Sequence, residues 1–370
     1  MITRRQFNLS SAGTFAGLPA CTPAPGPGRY EQAVADTWRH GRPGAVAGAG
    51  LQRELVHELV RYATLAPSSH NTQCWTFRLA DRAIHIAPDL SRRCPVVDPD
   101  DHHLFVSLGC ATENLVQAAL AHGLHAEVEL AADMSPPTVR VQLEPTRALA
   151  TPLFQAIPER QSTRGDYDGR PLAPADLALL QQAGSGPGVQ LLLLTERAVM
   201  ERALDFVLQG NTAQMNDPAF VDELKAWIRF SADDAVRTGD GLYAASSGNP
   251  SLPAWLGRPL FSLFFTTGSE NDKIARQLRS SAGVAVFAGD AADVAHWVTV
   301  GRCAQRLALQ ATALGVRSAM LNQPVEVAAL RAPFADAVGL GAARPDLVLR
   351  FGRGPKLPPS LRRPLQAVLA

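Results

Sequence analysis

The chain has 370 residues, 46% of them apolar, and a formal net charge of +1. This length exceeds that of one small domain and suits two, and the apolar fraction is ample for a core. The balanced charge argues against nucleic-acid binding and against membrane binding through a basic patch. No run of about 18 apolar residues is present, so we expect no membrane-spanning helix. The five cysteines form no Cys-x-x-Cys pair, which argues against a zinc or thioredoxin-like site.

Residues 1–28 are typical of a signal and linker segment. Residues 3–9, Thr-Arg-Arg-Gln-Phe-Asn-Leu, resemble the twin-arginine export consensus, and a short stretch of small residues follows them. The sequence Leu-Pro-Ala-Cys that ends at Cys21 resembles a lipoprotein cleavage box, although proline is unusual there. We therefore expect export by the twin-arginine route to the periplasm, with Cys21 as a candidate lipid anchor. The alternative is a disordered N-terminus with two chance arginines.

Residues 29–150 carry the pattern of one α+β unit. Apolar residues recur at helical spacing after residue 51, and Pro67 ends that pattern. Short apolar or alternating runs predict strands, the first two of them as a hairpin. In chain order the predicted elements are a helix over 51–66, strands over 76–79 and 83–87, a helix over 104–124 and a strand over 139–143.

Residues 151–370 carry a similar pattern with an insertion. Pro174 stands where a helix can begin, because proline suits the first helical position. Residues 220–270 are rich in Trp, Phe, Ser and Gly without a clean period, and we expect them to cover a pocket as a lid. The other predicted elements are strands over 189–194, 284–287 and 347–351 and a helix over 297–314.

The two halves share a spacing of small and apolar residues. The positions Gly109, Leu115, Ala119 and Gly123 recur as Gly301, Leu307, Ala311 and Gly315. Each set lies in a predicted helix that follows a strand-containing region, and the strand–helix order matches in both halves. We therefore expect two related α+β lobes in one chain, packed face to face as a pseudo-dimer.

The sharpest motif is residues 66–75, Ala-Pro-Ser-Ser-His-Asn-Thr-Gln-Cys-Trp, between a predicted helix and a predicted strand. It resembles the APSxxNxQPW turn of the nitroreductase family, with Cys74 in place of the usual proline. In that family the turn packs on the flavin, which implies FMN contacts here from Pro67, Ser68, Ser69, Asn71 and Gln73. Such a turn offers hydroxyl, amide and backbone N–H groups to a polar ring edge. The alternative is an ordinary turn that ends a helix.

A second motif, Arg160-Gln161-Ser162-Thr163-Arg164, resembles the RxSxR signature of the same family. The resemblance implies that Arg160, Ser162 and Arg164 bind FMN. A phosphate carries nearly two negative charges, and two guanidinium groups beside a serine offer it charge-assisted donors. The alternative is an exposed basic turn.

Two further segments follow in the order of the family. Residues 315–324 resemble the loop whose backbone N–H approaches flavin N5, which makes Ser318 and Ala319 candidate contacts; Gly315 is alternatively a plain helix cap. After the last predicted strand, Arg353 and Arg363 are candidate phosphate ligands by the same resemblance. We prefer Arg363 to its neighbour Arg362, and a solvated basic tail is the alternative for either.

The flavin motifs are unequally divided between the two halves. The first half has the Ser/Asn turn, the second has RxSxR, and at the equivalent turn the second half reads Gln182 to Gly188, without Asn or Trp. In the homodimers of the family, each flavin takes its turn from one subunit and its arginines from the other. The resemblance therefore implies one FMN per chain, between the lobes of a nitroreductase-like fold, as in the single-chain Acg-like branch.

The resemblance implies an FMN-dependent oxidoreductase that reduces nitro compounds, quinones or similar acceptors, with NAD(P)H as donor. No catalytic side chain is assigned, because the flavin supplies the chemistry. The alternative is an exported flavin-binding protein with little or no turnover, and a flavin-free scaffold is a third interpretation. The run Asp98 to His103 contains two histidines, but it precedes a helix, where acidic residues suit the N-terminus, so no metal is expected.

Overall fold

The computed structural model of the protein describes residues 28–41 and 53–370. The expected export segment and Cys21 lie outside the described residues, as does the start of the helix predicted from residue 51. Export and lipidation therefore stay predictions.

Helices and short strands alternate through the described part of the chain. The helices are α1 (Arg29–Thr37), α2 (Arg53–Thr64), α3 (His102–Ala121), α4 (Pro152–Ala156), α5 (Pro174–Gly184), α6 (Arg197–Met215), α7 (Pro218–Trp227), α8 (Ala232–Thr238), α9 (Ala254–Phe264), α10 (Thr267–Arg279), α11 (Val294–Ala313), α12 (Gln323–Glu326) and α13 (Ala328–Val338). The strands are β1 (Trp75–Ala80), β2 (Ala83–Pro88), β3 (Leu124–Ala131), β4 (Thr138–Pro145), β5 (Val189–Leu194), β6 (Ile228–Arg229), β7 (Leu242–Tyr243), β8 (Gly283–Gly289), β9 (Arg317–Met320) and β10 (Leu347–Gly352).

Two four-stranded antiparallel sheets organise the two halves of the chain. The first sheet has the order β1-β2-β4-β3, and the second has the order β5-β8-β10-β9. If the four strands of each sheet are numbered in chain order, both sheets have the spatial order 1-2-4-3. The two sheets therefore share one topology. The predicted α+β class is confirmed, and the shared strand order supports two related lobes in one chain.

The two long helices α3 and α11, one from each lobe, pack against each other along their length. The largest cluster of buried apolar side chains joins both helices to both sheets, with Leu108, Ile86, Leu307 and Leu349 among its members. Helix α3 is long and apolar enough to cross a membrane, but 89% of its most apolar stretch is buried inside the protein. The two lobes therefore share one continuous core, and α3 is its central helix.

The element types predicted in the first lobe agree with the structure, and their boundaries differ by up to three residues, most at the end of α3. The hairpin forms as β1 and β2, with Trp75 opposite Pro88. The helix predicted over 104–124 ends at Ala121, because Gly123 adopts a left-handed φ of 78° that ends the helix. Leu124 then begins β3, a strand that the periodicity did not show.

Residues 217–266, here called the lid segment, separate α6 from α10 and contain α7, α8 and α9 together with the paired strands β6 and β7. Local capping explains its helices. The carboxylate of Asp217 accepts the Ala219 N–H ahead of α7, and the hydroxyl of Ser231 accepts the Asp234 N–H ahead of α8. The segment predicted to lack a clean period is therefore helical.

Candidate functional site

A cavity of about 610 Å³ lies between the two lobes and beneath the lid segment. All three parts of the chain contribute to its wall. The first lobe supplies Pro67, Ser68, Ser69, His70, His103 and Ser107. The second lobe supplies Ser162, Arg164, Ala319, Gln323, Glu326 and Arg350. The lid segment supplies an apolar cover that includes Phe220, Leu224, Ile228, Phe230, Phe261 and Phe265.

The turn that follows α2 has an unusual backbone. His70, Asn71 and Gln73 adopt left-handed φ values of 49°, 55° and 53°, although none is glycine. The Ser68 hydroxyl accepts the Gln73 N–H at 2.9 Å, and the Asn71 amide donates to the Gly241 carbonyl at 2.9 Å. Such conformations cost of order 1–3 kcal/mol each and concentrate at functional sites. The surrounding hydrogen bonds stabilise the turn and offset the free-energy cost of these conformations.

The residues predicted from this turn lie in three different places. Pro67, Ser68 and Ser69 line the main cavity. Asn71 lines a small side pocket, whereas Gln73 is fully buried and lines neither. The Gln73 amide donates to the Gly239 carbonyl at 2.8 Å and so ties the turn to the lid segment. Gln73 therefore anchors the turn rather than facing the cavity.

The first motif of the second half lies directly opposite that turn. Ser162 and Arg164 line both the main cavity and the side pocket. The Thr163 N–H donates to the Ser318 carbonyl at 2.9 Å, which aligns the two predicted segments side by side. Within the described residues, the Arg164 guanidinium makes no hydrogen bond or ion pair. Burial and the nearby Arg350 charge lower the pKa of Arg164.

The side pocket, of about 50 Å³, concentrates positive charge next to the main cavity. Arg160, Arg164 and Arg362 line it together with Asn71 and Ser162. Burial lowers the pKa of Arg160 to about 10 and, together with the Arg160 charge, that of Arg362 to about 9. Neither of these two arginines forms an ion pair with a carboxylate of the described residues.

Of these two arginines, Arg160 keeps free hydrogen-bond donors and Arg362 does not. Arg160 donates to the Leu65 carbonyl at 3.1 Å, while its Nε is buried without a partner. Arg362 uses its five N–H groups on backbone carbonyls, those of Thr64, Leu65, Ala66, Ser360 and Leu361. Buried guanidinium groups without a counter-ion are costly, so the pocket suits a bound anion.

The two predicted arginines near the C-terminus lie outside both pockets, which corrects the sequence-based assignment. Arg353 is 45% exposed and binds the Leu314 carbonyl at 2.8 Å and Asp176 at 3.0 Å. Arg363 turns to the opposite side from Arg362 and contacts Asp89 at 3.8 Å. Neighbouring side chains of an extended chain point to opposite sides, so only one of the pair can face the pocket. That residue is Arg362.

Of the two residues predicted from the loop after α11, one lines the cavity and the other does not. Ala319 lines the cavity, whereas Ser318 does not and instead pairs with Ser162 through the backbone. Gly315, with φ of 70°, lies in the turn that closes α11, as the plain cap interpretation expects. The Gln323 side-chain oxygen is buried without a hydrogen-bond partner beside the cavity.

Three residues that no motif indicated also belong to the cavity. Arg350 is fully buried and donates to the carbonyls of Thr163 at 3.2 Å and Gly165 at 2.7 Å, so it fixes the segment that carries Arg164. Glu326 and His103 face each other across the lobes, with 3.9 Å between Oε1 and Nδ1. The sequence drew attention to His103 only as a possible metal ligand, and no spacing links it to Glu326, because packing of the two lobes brings that pair together.

The cluster of Asp98, His102 and His103 has partners that account for it. The two carboxylate oxygens of Asp98 accept the backbone N–H groups of His103 and Leu104, at 3.0 and 2.9 Å, and so cap α3. The His102 Nε2 lies 3.0 Å from the Asp346 carboxylate. These contacts give the cluster a role in starting α3 and joining the lobes.

Cys74, the departure from the family motif, is 2% exposed and lines neither pocket. Burial raises the pKa of its thiol to about 12. A thiol with such a pKa is poorly reactive at neutral pH, since the thiolate is the nucleophile. Cys74 therefore packs behind the turn as a small apolar side chain.

Comparison with known proteins gives similarity over most of the chain. Two Mycobacterium tuberculosis proteins, from strains H37Rv and CDC 1551, are each named "Putative NAD(P)H nitroreductase". Each is 28% identical to this chain over 332 residues, which cover 85% of this chain and 91% of the relative. No family model matches the chain.

Solved structures similar to this chain include two nitroreductases. One, from Desulfitobacterium hafniense with bound FMN, has a TM-score of 0.38 and 16% identity, and the match covers 58% of this chain and 96% of that one. The other, the FMN-dependent NfnB from Mycobacterium smegmatis in complex with NADPH, has a TM-score of 0.37 and 15% identity. That match covers 55% of this chain and 87% of NfnB.

Proposed function

We propose that this protein is an FMN-dependent oxidoreductase of the nitroreductase type that binds one FMN between its lobes. The observation that carries the proposal is the cationic side pocket, which opens beside a cavity lined by the strained turn. The relatives named as NAD(P)H nitroreductases, matched over 85% of the chain, support the same assignment.

The side pocket fits the phosphate of FMN. Among the described residues, neither the Arg160 nor the Arg362 guanidinium has a carboxylate partner, and Arg160 Nε has no hydrogen bond. The Ser162 hydroxyl adds a neutral donor at the same place. A phosphate with nearly two negative charges would accept from the free donors of Arg160 and Ser162, and its charge would offset the cost of burying both cations. The residues of the side pocket therefore suit the phosphate group of FMN.

The main cavity fits the flavin ring. Pro67, Ser68 and Ser69 would contact the ring from one lobe and Ala319 from the other, because all four line the cavity. Arg164 has free donors there and would hold negative charge at the polar edge of the ring. When bound, the flavin supplies hydride chemistry, while the chain orients it and excludes water.

The reaction follows from the chemistry of that cofactor. NAD(P)H would serve as the electron donor, and a nitro compound, quinone or similar molecule would serve as the acceptor. The apolar side chains of the lid segment, among them Phe230 and Phe261, favour an apolar, aromatic acceptor.

A flavin-sequestering protein is the second candidate function. The observation that favours it is the cover itself, since residues of α7 and α9 close over the cavity. A cover that stays closed would bind FMN and prevent access by NAD(P)H. Under that function the flavin would remain oxidised in the presence of excess NADPH.

We further propose export by the twin-arginine route, supported by residues 3–9, with Cys21 as a lipid anchor in the periplasm. Replacing both arginines by lysine should leave the protein in the cytoplasm on fractionation. The Cys21→Ala variant should move from the membrane fraction to the soluble one. Unchanged fractionation of the arginine variant would contradict export by this route, and unchanged fractionation of Cys21→Ala would contradict the lipid anchor.

The binding stoichiometry tests the cofactor proposal. FMN is titrated into flavin-free protein, and the quenching of flavin fluorescence is followed to saturation. One FMN per chain is expected, because only one composite of turn and RxSxR motif is complete. Two FMN per chain would contradict the single composite site, and no saturable binding would contradict the cofactor.

A further inference from the structure

A carboxyl group and an imidazole from opposite lobes meet in the wall of the cavity. His103 lies in the first turn of α3, and Glu326 is the last residue of α12. The Glu326 Oε1 lies 3.9 Å from His103 Nδ1, and both residues line the cavity. No other role described above uses these two side chains.

The hydrogen bonds of His103 determine which nitrogen carries the proton. Its Nε2 lies 3.1 Å from the Asp346 backbone carbonyl, which can only accept a hydrogen bond. Nε2 is therefore the donor, and the neutral imidazole presents its lone pair at Nδ1. That nitrogen is the one that faces Glu326. His103 therefore places no competing N–H donor on the side of Glu326, and the two atoms, at 3.9 Å, lie beyond hydrogen-bond distance.

Besides His103, Glu326 is influenced by the Arg164 charge, which lies beyond ion-pair distance. Its second oxygen, Oε2, accepts the Gln214 amide at 2.6 Å, and no Lys or Arg side chain in the described ranges forms an ion pair with it. Burial raises the pKa of Glu326, while His103, the second influence, lowers it. A raised pKa favours the protonated carboxyl, which is the form that a general acid requires.

The surroundings explain why an internal acid would be useful. The apolar lid side chains, such as Phe230 and Phe261, form one wall of the cavity and carry no proton donor. Reduction of a quinone to a hydroquinone consumes two electrons and two protons. A hydride delivers both electrons and one proton, so one further proton must come from a group that reaches the acceptor.

We propose that Glu326, positioned by His103 and Gln214, donates this second proton to the acceptor. The inference rests on the proposed function, in which reduced FMN supplies the hydride. The O–H bond of Glu326 breaks and an O–H bond of the hydroquinone forms. The carboxylate that remains is stabilised by the Gln214 amide and regains its proton from water when product leaves. Glu326 is thus the catalytic acid, and His103 and Gln214 are positioning residues.

The groups that face the pair determine its pH dependence. Glu326 faces His103 and Asp98 from the first lobe and Arg164 from the second, and α6 contributes the neutral Gln214. His103 also stacks on His102, which contacts Asp346, and α13 contributes Arg331, which binds the Val325 carbonyl. Donation requires the protonated acid, so quinone reduction should fall as pH rises through the raised pKa of Glu326.

The kinetic test compares two oxidants of the reduced, FMN-loaded protein. Glu326→Gln keeps the size and the oxygen that accepts from Gln214, but it removes the acid. Quinone reduction should slow by about 10²–10⁴-fold, the usual contribution of a general acid. Oxidation by ferricyanide, which takes one electron and no proton, should be unchanged. The matched control Glu201→Gln alters an exposed carboxylate on α6 and should leave both rates unchanged.

A second readout needs no flavin. In the FMN-free protein, the imidazole nitrogen NMR signals of His103, assigned by their loss in His103→Gln, should differ between wild type and Glu326→Gln at the same pH. Identical signals would overturn the contact between the two side chains, whether or not FMN binds. Equal slowing with both oxidants, or unslowed quinone reduction, would also overturn the proposal. Failure of FMN to bind would instead overturn the proposed function, while the NMR comparison still reports on the contact.

Discussion

Gly109 and Gly301 meet where the two long helices cross. A Cβ atom on Gly109 would lie 3.0 Å from the Gly301 Cα and 2.1 Å from the Val298 carbonyl oxygen. A Cβ on Gly301 would in turn lie 2.0 Å from the Val106 carbonyl oxygen. These glycines are equivalent positions of the internal repeat. The two related lobes therefore contact each other through the same position of the repeat.

The crossing predicts that Gly109→Ala and Gly301→Ala each destabilise the protein. Both added methyl groups would meet backbone atoms, which cannot rotate away, so a loss of about 1–3 kcal/mol is expected. Urea denaturation measures the free energy of unfolding. Gly268→Ala is the control, because that position has open space around it and alanine favours a helix. Equal stability of all three variants would contradict the close packing.

The side pocket predicts different roles for neighbouring arginines. Arg362→Ala should weaken FMN binding by about 10–100-fold, the loss expected for hydrogen bonds to a charged group. Arg353→Ala, which alters an arginine outside both pockets, should leave the dissociation constant unchanged. Fluorescence titration with FMN measures both. A larger effect from Arg353→Ala would restore the sequence-based assignment and contradict the pocket.

One carboxylate of the lid segment, that of Glu223, adds two hydrogen bonds to the first lobe. The two oxygens of Glu223 accept the backbone N–H groups of Val96 and Val97, both at 3.0 Å. Glu223→Ala removes both hydrogen bonds, and FMN release should become about 5–30-fold faster, as for a loss of 1–2 kcal/mol. Stopped-flow recovery of flavin fluorescence checks this. Asp222→Ala, beside it but 81% exposed, is the control and should not change the rate.

Asp240 predicts a pH-dependent contribution to stability. Burial alone would raise the pKa of Asp240, but hydrogen bonds from Arg229 and Arg92 outweigh it and lower the pKa below the usual 3.8. A lowered folded-state pKa stabilises the protein above the unfolded value, and this part is lost as pH falls through the folded value. Asp240→Asn should therefore cost about 1.5–3 kcal/mol at neutral pH.

The same variant checks the sign of that effect. The difference in unfolding free energy between wild type and Asp240→Asn should shrink as the pH is lowered below about 4. Denaturation at a series of pH values measures it. A difference that stays constant down to strongly acidic pH would contradict the ion-pair origin.

The sequence was informative wherever the chemistry is local. The turn at 67–73 is specified by neighbouring residues, and the hairpin of β1 and β2 by alternation, so both were found in the right place. The repeat of Gly109 and Gly301 showed the two lobes because glycine is required at a close helix crossing. Gly123 was noticed in the repeat but not as a helix end, and β3 was therefore missed.

The rest depends on which parts of the chain pack together. Arg362 and Arg363 are adjacent residues of the same type, so the sequence cannot distinguish them. The path of the C-terminal segment decides which one faces the pocket. Glu326 and His103 lie in different lobes without a motif, so no spacing connects them. The lid helices had readable starts, such as Asp217 and Ser231, but α7 turns apolar residues to the cavity and α8 packs against α1, so neither shows the periodicity of a central core helix.

The most direct test of the central claim is an anaerobic absorbance spectrum of the purified protein, before and after excess NADPH. The account predicts a flavin band at one FMN per chain that bleaches quickly when NADPH is added. A band that persists against NADPH but yields to dithionite would contradict the oxidoreductase and support the sequestering function. A colourless protein after reconstitution with FMN would contradict the flavin site itself.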